Sequence, residues 1–234
     1  MLLAAGRGER MRPLTDHTPK PLLPVQGRAL LDWHIAALLR DGVAQVLVNT
    51  AWLGAHIAQH LDATWRGSPL QLRYSHEQDD FGHALETAGG IARALPQLPP
   101  VFWLAAGDVF VPDFVFDPAA HAAFSASTDL AHLWLVPNPA HHPQGDFGLA
   151  AGRALNLPAD SSMPRYTYST IGLFKAALFS APWCALAPGN PTGQAAPLAP
   201  LLRRAMDAGR VGASLYTGRW TDVGTPQRWA ELQQ

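Results

Sequence analysis

The chain of 234 residues is 48% hydrophobic and 15% charged, and its formal net charge is −1. Such a length supports one sizeable buried core, and the near-neutral charge gives no basis for binding nucleic acid or an anionic membrane surface. The single cysteine, Cys184, excludes an internal disulfide, and no apolar run approaches the ~20 residues that span a bilayer, so we expect a cytoplasmic protein.

Strand-like and helix-like segments alternate along the first half of the chain. Apolar strand patterns cover 1–5, 44–49, 70–75 and 101–106, and helical spacing covers 28–41, 52–61 and 84–95. Continuous apolar strands between amphipathic helices indicate a parallel sheet that is covered on both faces. This pattern predicts a Rossmann-like, doubly wound α/β fold with a mostly parallel sheet and helices on both faces.

The second half of the chain is less regular. Strands are predicted at 129–136 and 166–174, a proline-rich connection at 182–200 and a helix at 198–208. A tight turn is predicted at 220–225, and Pro226 after it is a favourable first residue for a terminal helix. Because no linker divides the chain, we expect a single domain, 1–234, with elaborations after residue 110.

The first strand leads into a loop rich in glycine and arginine, residues 6–10. Ligands of open α/β sheets bind beyond the carboxyl ends of the strands, where this loop is expected. Its glycines allow backbone N–H groups to approach a phosphate, and Arg7, Arg10 and Arg12 add positive charge. It is not a dinucleotide fingerprint, because Met11 replaces the third glycine, and this argues against a nicotinamide oxidoreductase. A P-loop is excluded because no Gly-Lys pair follows.

Lys20 lies between two prolines in the sequence Thr18-Pro19-Lys20-Pro21. The prolines favour extended backbone on both sides, so a stiff segment presents the ammonium group. The chain has 15 arginines and only two lysines, Lys20 and Lys175. A lysine at this place therefore predicts a compact point charge for a phosphate, with an ordinary surface lysine as the alternative.

Two aspartates are predicted near the same edge of the sheet. Asp108 follows the buried run 101–106, and Asp222 lies in the turn before the terminal helix. Carboxylates beside phosphates are natural Mg²⁺ ligands, and two of them can hold the ion at a reacting phosphate. Either aspartate alone would more often be a cap or turn residue. Together with the glycine loop, they predict Mg²⁺ as a cofactor.

The segments LAAGRGERMRPLT, PKPLLPV, AAGD and WTDVGTP together resemble the sugar-1-phosphate nucleotidyltransferase family. Matches at 2–25, 84–90, 104–108 and 220–226 span nearly the whole chain. Enzymes of this family join a nucleoside triphosphate to a sugar 1-phosphate and release pyrophosphate. The resemblance implies small-molecule substrates, a nucleotide-binding half (about 1–110) and a sugar-phosphate-binding half (about 111–234). It leaves a monomer or a dimer open.

The resemblance also implies roles for individual residues. Arg10 and Lys20 would be the catalytic cations, with Arg10 on the triphosphate and Lys20 neutralising phosphate charge while the sugar phosphate attacks the α-phosphorus. Asp108 and Asp222 would bind Mg²⁺. At the nucleotide, the backbone of Leu3, Ala4, Ala5, Gly6, Arg7 and Gly8 would hold the base and ribose, and Glu77, Ala84 and Leu85 would lie near them. The residues implied at the sugar are Glu86, Gly145, Asp146 and Thr170.

Within the family, the segment ALETAGG (84–90) resembles the corresponding loop of N-acetylmuramate α-1-phosphate uridylyltransferases. NTAWLGAHI, NPAHHPQGDFGL and LAPLLRRAMDAGRV resemble that group too, although Thr170 stands where it usually has glycine. This predicts UTP and N-acetylmuramic acid 1-phosphate as substrates, in peptidoglycan recycling. Mannose-1-phosphate guanylyltransferases share TAG, so GTP with mannose 1-phosphate is the alternative, and glucose 1-phosphate another.

A catalytically silent, nucleotide-sensing homologue is a further alternative. The presence of Lys20, Asp108 and Asp222 argues against it. The pair His141-His142 is predicted to lie on a loop surface, because adjacent histidines of an extended chain point opposite ways and so do not form a metal site together.

Overall fold

The buried apolar runs of the sequence become neighbouring strands of one sheet in the computed structural model, which describes residues 1–233. The strands of the first half are β1 (Leu2–Ala4), β2 (Pro24–Val25), β3 (Arg28–Ala29), β4 (Gln45–Thr50), β5 (Gln71–His76), β6 (Val101–Ala106) and β7 (Val109–Phe110). The helices of this half are α1 (Leu30–Arg40), α2 (Gly54–Thr64), α3 (Glu77–Phe81) and α4 (Glu86–Ala94).

The second half adds strands and helices to the same sheet. Its strands are β8 (Ala131–Val136), β9 (Phe147–Ala150), β10 (Arg153–Leu155), β11 (Arg165–Lys175), β12 (Val211–Leu215) and β13 (Thr221–Asp222). Its helices are α5 (Pro118–Ala126), α6 (Ala199–Asp207) and α7 (Pro226–Glu231). Among residues 1–233, every helix is too short or too polar to cross a lipid bilayer.

The main sheet has the strand order β5-β4-β1-β6-β11-β8-β12-β10-β9. The first four strands of this order are parallel, as the sequence predicts. β11 then enters antiparallel between β6 and β8, and β9 and β10 are antiparallel to their neighbours. The Rossmann-like α/β fold is confirmed, and its second half makes the sheet mixed as a whole. The connection between β9 and β10 consists only of Ala151 and Gly152. Parallel strands need a much longer crossover, so these two strands must be antiparallel.

Helices cover both faces of the sheet, and the strands alternate between them. In β6, Phe102 and Leu104 pack in the core that contains α4 and α6. Trp103 and Ala105 point to the opposite face and pack in the core that contains α1 and α2. Two buried faces explain why β6 is a continuous apolar run in the sequence.

Several elements were not predicted from the sequence, among them the helix α5 and the strands β9, β10 and β12. α5 begins with Pro118 after Asp117, whose carboxylate accepts a hydrogen bond from the amide of Ala119. This cap and the following proline are a recognisable start signal for a helix. The strand β12 (Val211–Leu215) was also missed, and its parallel pairing with β8 depends on the helix α6 that precedes it.

Candidate active site

A cleft of about 380 Å³ opens at the carboxyl ends of the parallel strands, a volume that suits a small ligand. β1 leads into one wall, β6 ends at its floor, and the start of α4 forms the opposite wall. Eight of the residues predicted for the site line this cleft: Leu3, Ala4, Ala5, Gly6, Lys20, Ala84, Glu86 and Asp108.

A second cavity of about 380 Å³ opens at the opposite edge of the sheet. Its lining includes Gln45, Gln71 and Val101, at the amino ends of their strands, and contains none of the predicted site residues. Since ligands of open α/β sheets bind at the carboxyl edge, we assign the functional site to the first cleft.

Lys20 and Asp108 meet in the cleft. Lys20 Nζ donates a hydrogen bond to Asp108 Oδ2 at 2.5 Å, although the two residues are 88 positions apart in the chain. The stem of Lys20 is buried, with 8% of the residue exposed. Gly8 does not line the cleft but packs against this stem: a Cβ there would lie 3.2 Å from Lys20 Cβ, and its φ of +68° also favours glycine. Gly8 therefore supports the lysine rather than contacting a ligand from the wall.

The three arginines in and just after this loop have different surroundings. Arg7 lies over the ring of Trp52, 3.4 Å from its centre, and donates to the carbonyl of Thr15, so its guanidinium is held outside the cleft wall. Arg12 is paired with Asp16 at 2.7 Å. Within residues 1–233, Arg10 is the one loop arginine with no hydrogen bond or ion pair, and its side chain is exposed.

The role implied for residue 7 at the nucleotide is that of the loop backbone, and the side chain of Arg7 is engaged outside the cleft. Its cation–π contact and its hydrogen bond to a carbonyl direct it away from the cleft. Its backbone follows the lining residue Gly6, so the contribution of residue 7 to the site is that of the loop backbone.

Glu77 and Leu85, which the resemblance implies near the nucleotide, lie just behind the lining of the cleft. Both are fully buried and neither lines the cleft. Glu77 accepts hydrogen bonds from Asn49 Nδ2 (2.7 Å) and from the amide of Leu85 (2.8 Å). Burial raises the pKa of the Glu77 carboxyl, while these two hydrogen bonds act in the opposite direction. In this structure neither side chain is open to the cleft, because both are fully buried.

Asn49 lines the cleft and was missed by the sequence analysis. It lies near the end of β4, opposite Leu3 of β1. The sequence did carry a signal for Asn49: it is a polar residue near the end of an apolar, β-branched run. Because parallel neighbouring strands end at the same edge of the sheet, such a residue is expected beside the glycine loop. Its side chain accepts a hydrogen bond from the amide of Ala4 at 3.0 Å.

Asp222 lies beside Asp108 through a short two-stranded ladder. In that ladder Asp222 pairs with Val109, and the amide of Val223 donates to the carbonyl of Asp108 at 3.0 Å. Within residues 1–233, no group of three or more His, Cys, Asp or Glu side chains is placed to hold a metal ion. Asp222 does not line the cleft, but its backbone lies next to that of Asp108, and proteins usually bind Mg²⁺ through one or two carboxylates together with phosphates and water.

His141 and His142 lie on an exposed loop, as predicted, and each also contacts a carboxylate of the predicted site. His141 Nε2 lies 2.8 Å from Asp222 Oδ1, and His142 Nε2 lies 3.1 Å from Asp146 Oδ1. Adjacent histidines do point opposite ways, and here each direction leads to a different aspartate. The signal in the sequence was their closeness to Gly145-Asp146. Asp222 is also held by Arg228 Nη1 at 2.6 Å.

The predicted sugar residues of the second half lie along β11 and the loop before β9, outside the lining of the cleft. Asp146 Oδ2 accepts from the amide of Tyr168 at 2.8 Å. Gly145 has a φ of +60°, and a Cβ there would lie 2.7 Å from Asn138 Oδ1, so only glycine fits. Thr170 has a φ of +66°, where the pairing of β11 with β8 is irregular. Its neighbour Ile171 pairs with Ala105 near the end of β6, so Thr170 lies next to the cleft floor.

Comparisons with known proteins agree with this arrangement. Residues 1–153 match the family described as nucleotidyl transferase. The chain is 43% identical to the N-acetylmuramate alpha-1-phosphate uridylyltransferase of Neisseria meningitidis serogroup B, over 100% of this chain and 96% of that protein. It is 30% identical to the protein of the same name from Caulobacter vibrioides, over 97% and 92% of the two chains.

A solved structure shows the same fold. It is a Bacillus anthracis protein described as a glucose-1-phosphate thymidylyltransferase, which superposes with a TM-score of 0.80 at 17% identity and covers 99% of this chain and 92% of its own. The family match, the two full-length relatives and the placement of Lys20 and Asp108 at the carboxyl edge lead to one conclusion. This chain belongs to the nucleotidyl transferase family, as a sugar-1-phosphate nucleotidyltransferase.

Proposed function

We propose that this protein transfers the uridylyl group of UTP to N-acetylmuramic acid 1-phosphate. The observation that carries the proposal is the 43% identity, over the full chain, to a relative named for that reaction. The cleft supports it, because a glycine loop and a buried lysine converge where phosphates would lie. We place the reaction in the cytoplasm, in the reuse of peptidoglycan sugars.

In the proposed reaction, an oxygen of the sugar 1-phosphate attacks the α-phosphorus of UTP. The bond between the α-phosphorus and the bridging oxygen breaks as the new bond forms, and pyrophosphate leaves with the electron pair. The attacking oxygen is already anionic near neutral pH, so the reaction needs no general base. Positioning and charge neutralisation then account for most of the catalysis.

Lys20 and Arg10 are the cations that we assign to this task. Lys20 has a buried stem and an ammonium group at the cleft, so its charge is presented from a rigid site. Arg10 is exposed on the loop that follows β1, and its planar guanidinium can bind two phosphate oxygens at once. The backbone from Leu3 to Gly6 would hold the nucleotide along the wall that follows β1.

We assign Mg²⁺ to Asp108 and Asp222. When bound there, the ion would neutralise charge on the reacting phosphates. The protein's own residues orient the carboxylates: Lys20 holds Asp108, while Arg228 and His141 hold Asp222. His142 similarly holds Asp146 on the side where we place the sugar.

The test is pyrophosphate release in the presence of Mg²⁺, measured across a matrix of substrates. UTP, GTP, CTP and dTTP are each combined with the 1-phosphates of N-acetylmuramic acid, N-acetylglucosamine, glucose and mannose. Selective turnover of UTP with the muramic sugar supports the proposal. Selective turnover of GTP with mannose 1-phosphate would overturn the substrates while leaving the roles of Lys20 and Asp108 in place. Omitting Mg²⁺ from the productive pair tests the metal assignment separately.

A further inference from the structure

Two buried side chains connect the strand that leads into the glycine loop with the loop that precedes α4. The amide of Ala4 donates to Asn49 Oδ1 (3.0 Å), and Asn49 Nδ2 donates to Glu77 Oε1 (2.7 Å). The amide of Leu85 donates to the other carboxylate oxygen, Glu77 Oε2 (2.8 Å). Asn49 is 2% exposed and Glu77 0%. We call this chain of three hydrogen bonds the Asn49–Glu77 relay.

The relay ends on the backbone of both walls of the cleft. Ala4 itself lines the cleft and is followed by Ala5 and Gly6. Leu85 lies between Ala84 and Glu86, both of which line the opposite wall. A change in the length of the relay therefore changes the distance between the two walls, even though the carboxylate of Glu77 does not reach the cleft.

We propose that Asn49 and Glu77 are positioning residues for nucleotide binding, which act through the backbone of Ala4 and Leu85. The inference rests on the nucleotidyl transfer assigned to the same cleft, and it replaces direct contact by Glu77 with an indirect role. It also explains why a carboxylate lies in the interior of the protein, where an ionised group is costly unless donors compensate for it.

The hydrogen-bonding capacity of the two side chains determines which pairs of residues can form the relay. Both ends of the relay are backbone N–H donors, so the side chains must offer three acceptor atoms and one donor atom. An asparagine and an ionised carboxylate provide this combination. An asparagine and a glutamine provide two acceptors and two donors, so one pair of donors must face each other. An aspartate at 49 with a glutamine at 77 again satisfies every bond.

Packing around the relay leaves little room for another arrangement. A Cβ on Gly90 of α4 would lie 2.4 Å from Glu77 Oε1 and 3.0 Å from Asn49 Nδ2. The helix therefore passes directly over the relay at a residue without a side chain. Because Glu77 cannot shift towards α4, a mispaired donor at 77 must instead displace the loop at Leu85 or the strand at Ala4.

The test compares the single variants Glu77→Gln and Asn49→Asp with the double variant that carries both. Each single variant should raise the KM for the nucleotide by roughly 10-fold or more, because it creates a mismatch in the relay, and should leave the KM for the sugar phosphate close to that of the wild type. The double variant should restore the KM for the nucleotide. Glu231→Gln, the same change at an exposed residue of α7, is the matched control and should leave both KM values unchanged.

The assays use whichever pair of nucleotide and sugar phosphate the wild type turns over, so that an error in the UTP assignment is seen separately. Melting temperatures of all variants show whether a KM change reflects loss of folding. A folded Glu77→Gln variant with an unchanged KM for the nucleotide overturns the proposal. So does a folded double variant whose KM stays raised.

Hydrogen exchange of the wild type provides a readout that needs no variant. If the relay persists, the amides of Ala4 and Leu85 exchange slowly even without nucleotide, although Leu85 lies before the start of α4. Rapid exchange at Leu85 would show that its bond to Glu77 is not maintained in solution, and this would overturn the proposal even if every variant failed to fold.

Discussion

Lys20 Nζ and Asp108 Oδ2 are 2.5 Å apart, and this contact joins the proline-flanked segment to the end of β6. The lysine stem is buried, whereas the aspartate is partly exposed to the cleft. The pair therefore places a cation and a carboxylate at one point of the site. Substituting either residue should affect catalysis in a different and measurable way.

Lys20→Met should reduce kcat by about 10²–10³-fold, because it removes the charge that we assign to the phosphates. Methionine retains an apolar stem, so the melting temperature should change little. Turnover of the productive substrate pair measures the effect. Lys175→Met is the matched control: that ammonium donates to the carbonyl of Ser127, away from the cleft, and its loss should leave kcat unchanged. Near-normal turnover of Lys20→Met would refute its role.

Asp108→Asn should raise the Mg²⁺ concentration needed for half-maximal turnover by at least about 10-fold, because an amide is a weaker ligand than a carboxylate. A titration of activity with Mg²⁺ measures this. The control is Asp113→Asn, which makes the same change in a carboxylate that pairs with Arg219 at the surface. An Mg²⁺ dependence equal to that of the wild type would remove Asp108 from the proposed metal site.

Thr170→Gly should increase the free energy of unfolding by about 1 kcal/mol. Thr170 has a φ of +66°, which is unfavourable for a β-branched residue and open to glycine. Urea unfolding provides the measurement. The same substitution at Thr167, a buried position of β11 whose hydroxyl donates to Asn138 Oδ1, should instead destabilise the protein by at least about 1 kcal/mol, because glycine weakens the strand and the hydrogen bond is lost. Loss of stability in both variants would show that the backbone at 170 is not strained.

His34 makes the stability of the protein dependent on pH. Its Nε2 lies 2.9 Å from the carbonyl oxygen of Val109, the residue after Asp108. Burial lowers the pKa of this imidazole from 6.5 to about 4. The unfolded chain therefore binds a proton at a higher pH than the folded protein does. The stability that neutral His34 contributes is therefore lost as the pH falls below about 6.5. Between about pH 7.5 and about pH 5, the free energy of unfolding should fall by about 2 kcal/mol on this account.

His34→Gln keeps an N–H donor towards Val109 and removes the titrating group. Urea unfolding at the two pH values should show a smaller loss of stability in the variant than in the wild type. An equal loss in both proteins would mean that other groups cause the pH dependence. The change in the free energy of unfolding between the two pH values is measured within each protein. A destabilisation by the substitution that is the same at both pH values therefore cancels.

Much of the fold and part of the site follow from short stretches of the sequence. The strand 101–106 was predicted with its observed bounds, because an uninterrupted apolar run followed by Gly107 is a local signal. Lys20 and Asp108 were both predicted for the site, since each lies directly after a strand or within a stiff proline segment. Their placement in one cleft follows from the general rule that parallel strands end at one edge.

Other parts of the site depend on contacts that no local pattern encodes. Arg7 is directed away from the cleft by Trp52, and Glu77 is covered by residues of α4 that follow it in the chain. His141 reaches Asp222 across 81 positions of sequence, because folding brings the loop before β9 next to β13. Adjacent histidines in a polar loop give no indication of such a partner.

The sequence by itself determined the α/β fold class, the family and the two charged residues at the centre of the cleft, because these depend on strand periodicity and on contiguous motifs. The tertiary structure alone decided which charges face the cleft and which are buried or paired elsewhere. The physical reason is that a side chain's direction depends on the partners that folding brings within hydrogen-bonding distance. For Glu77 those partners are Asn49 and Leu85, which make it a support of the cleft rather than part of its lining.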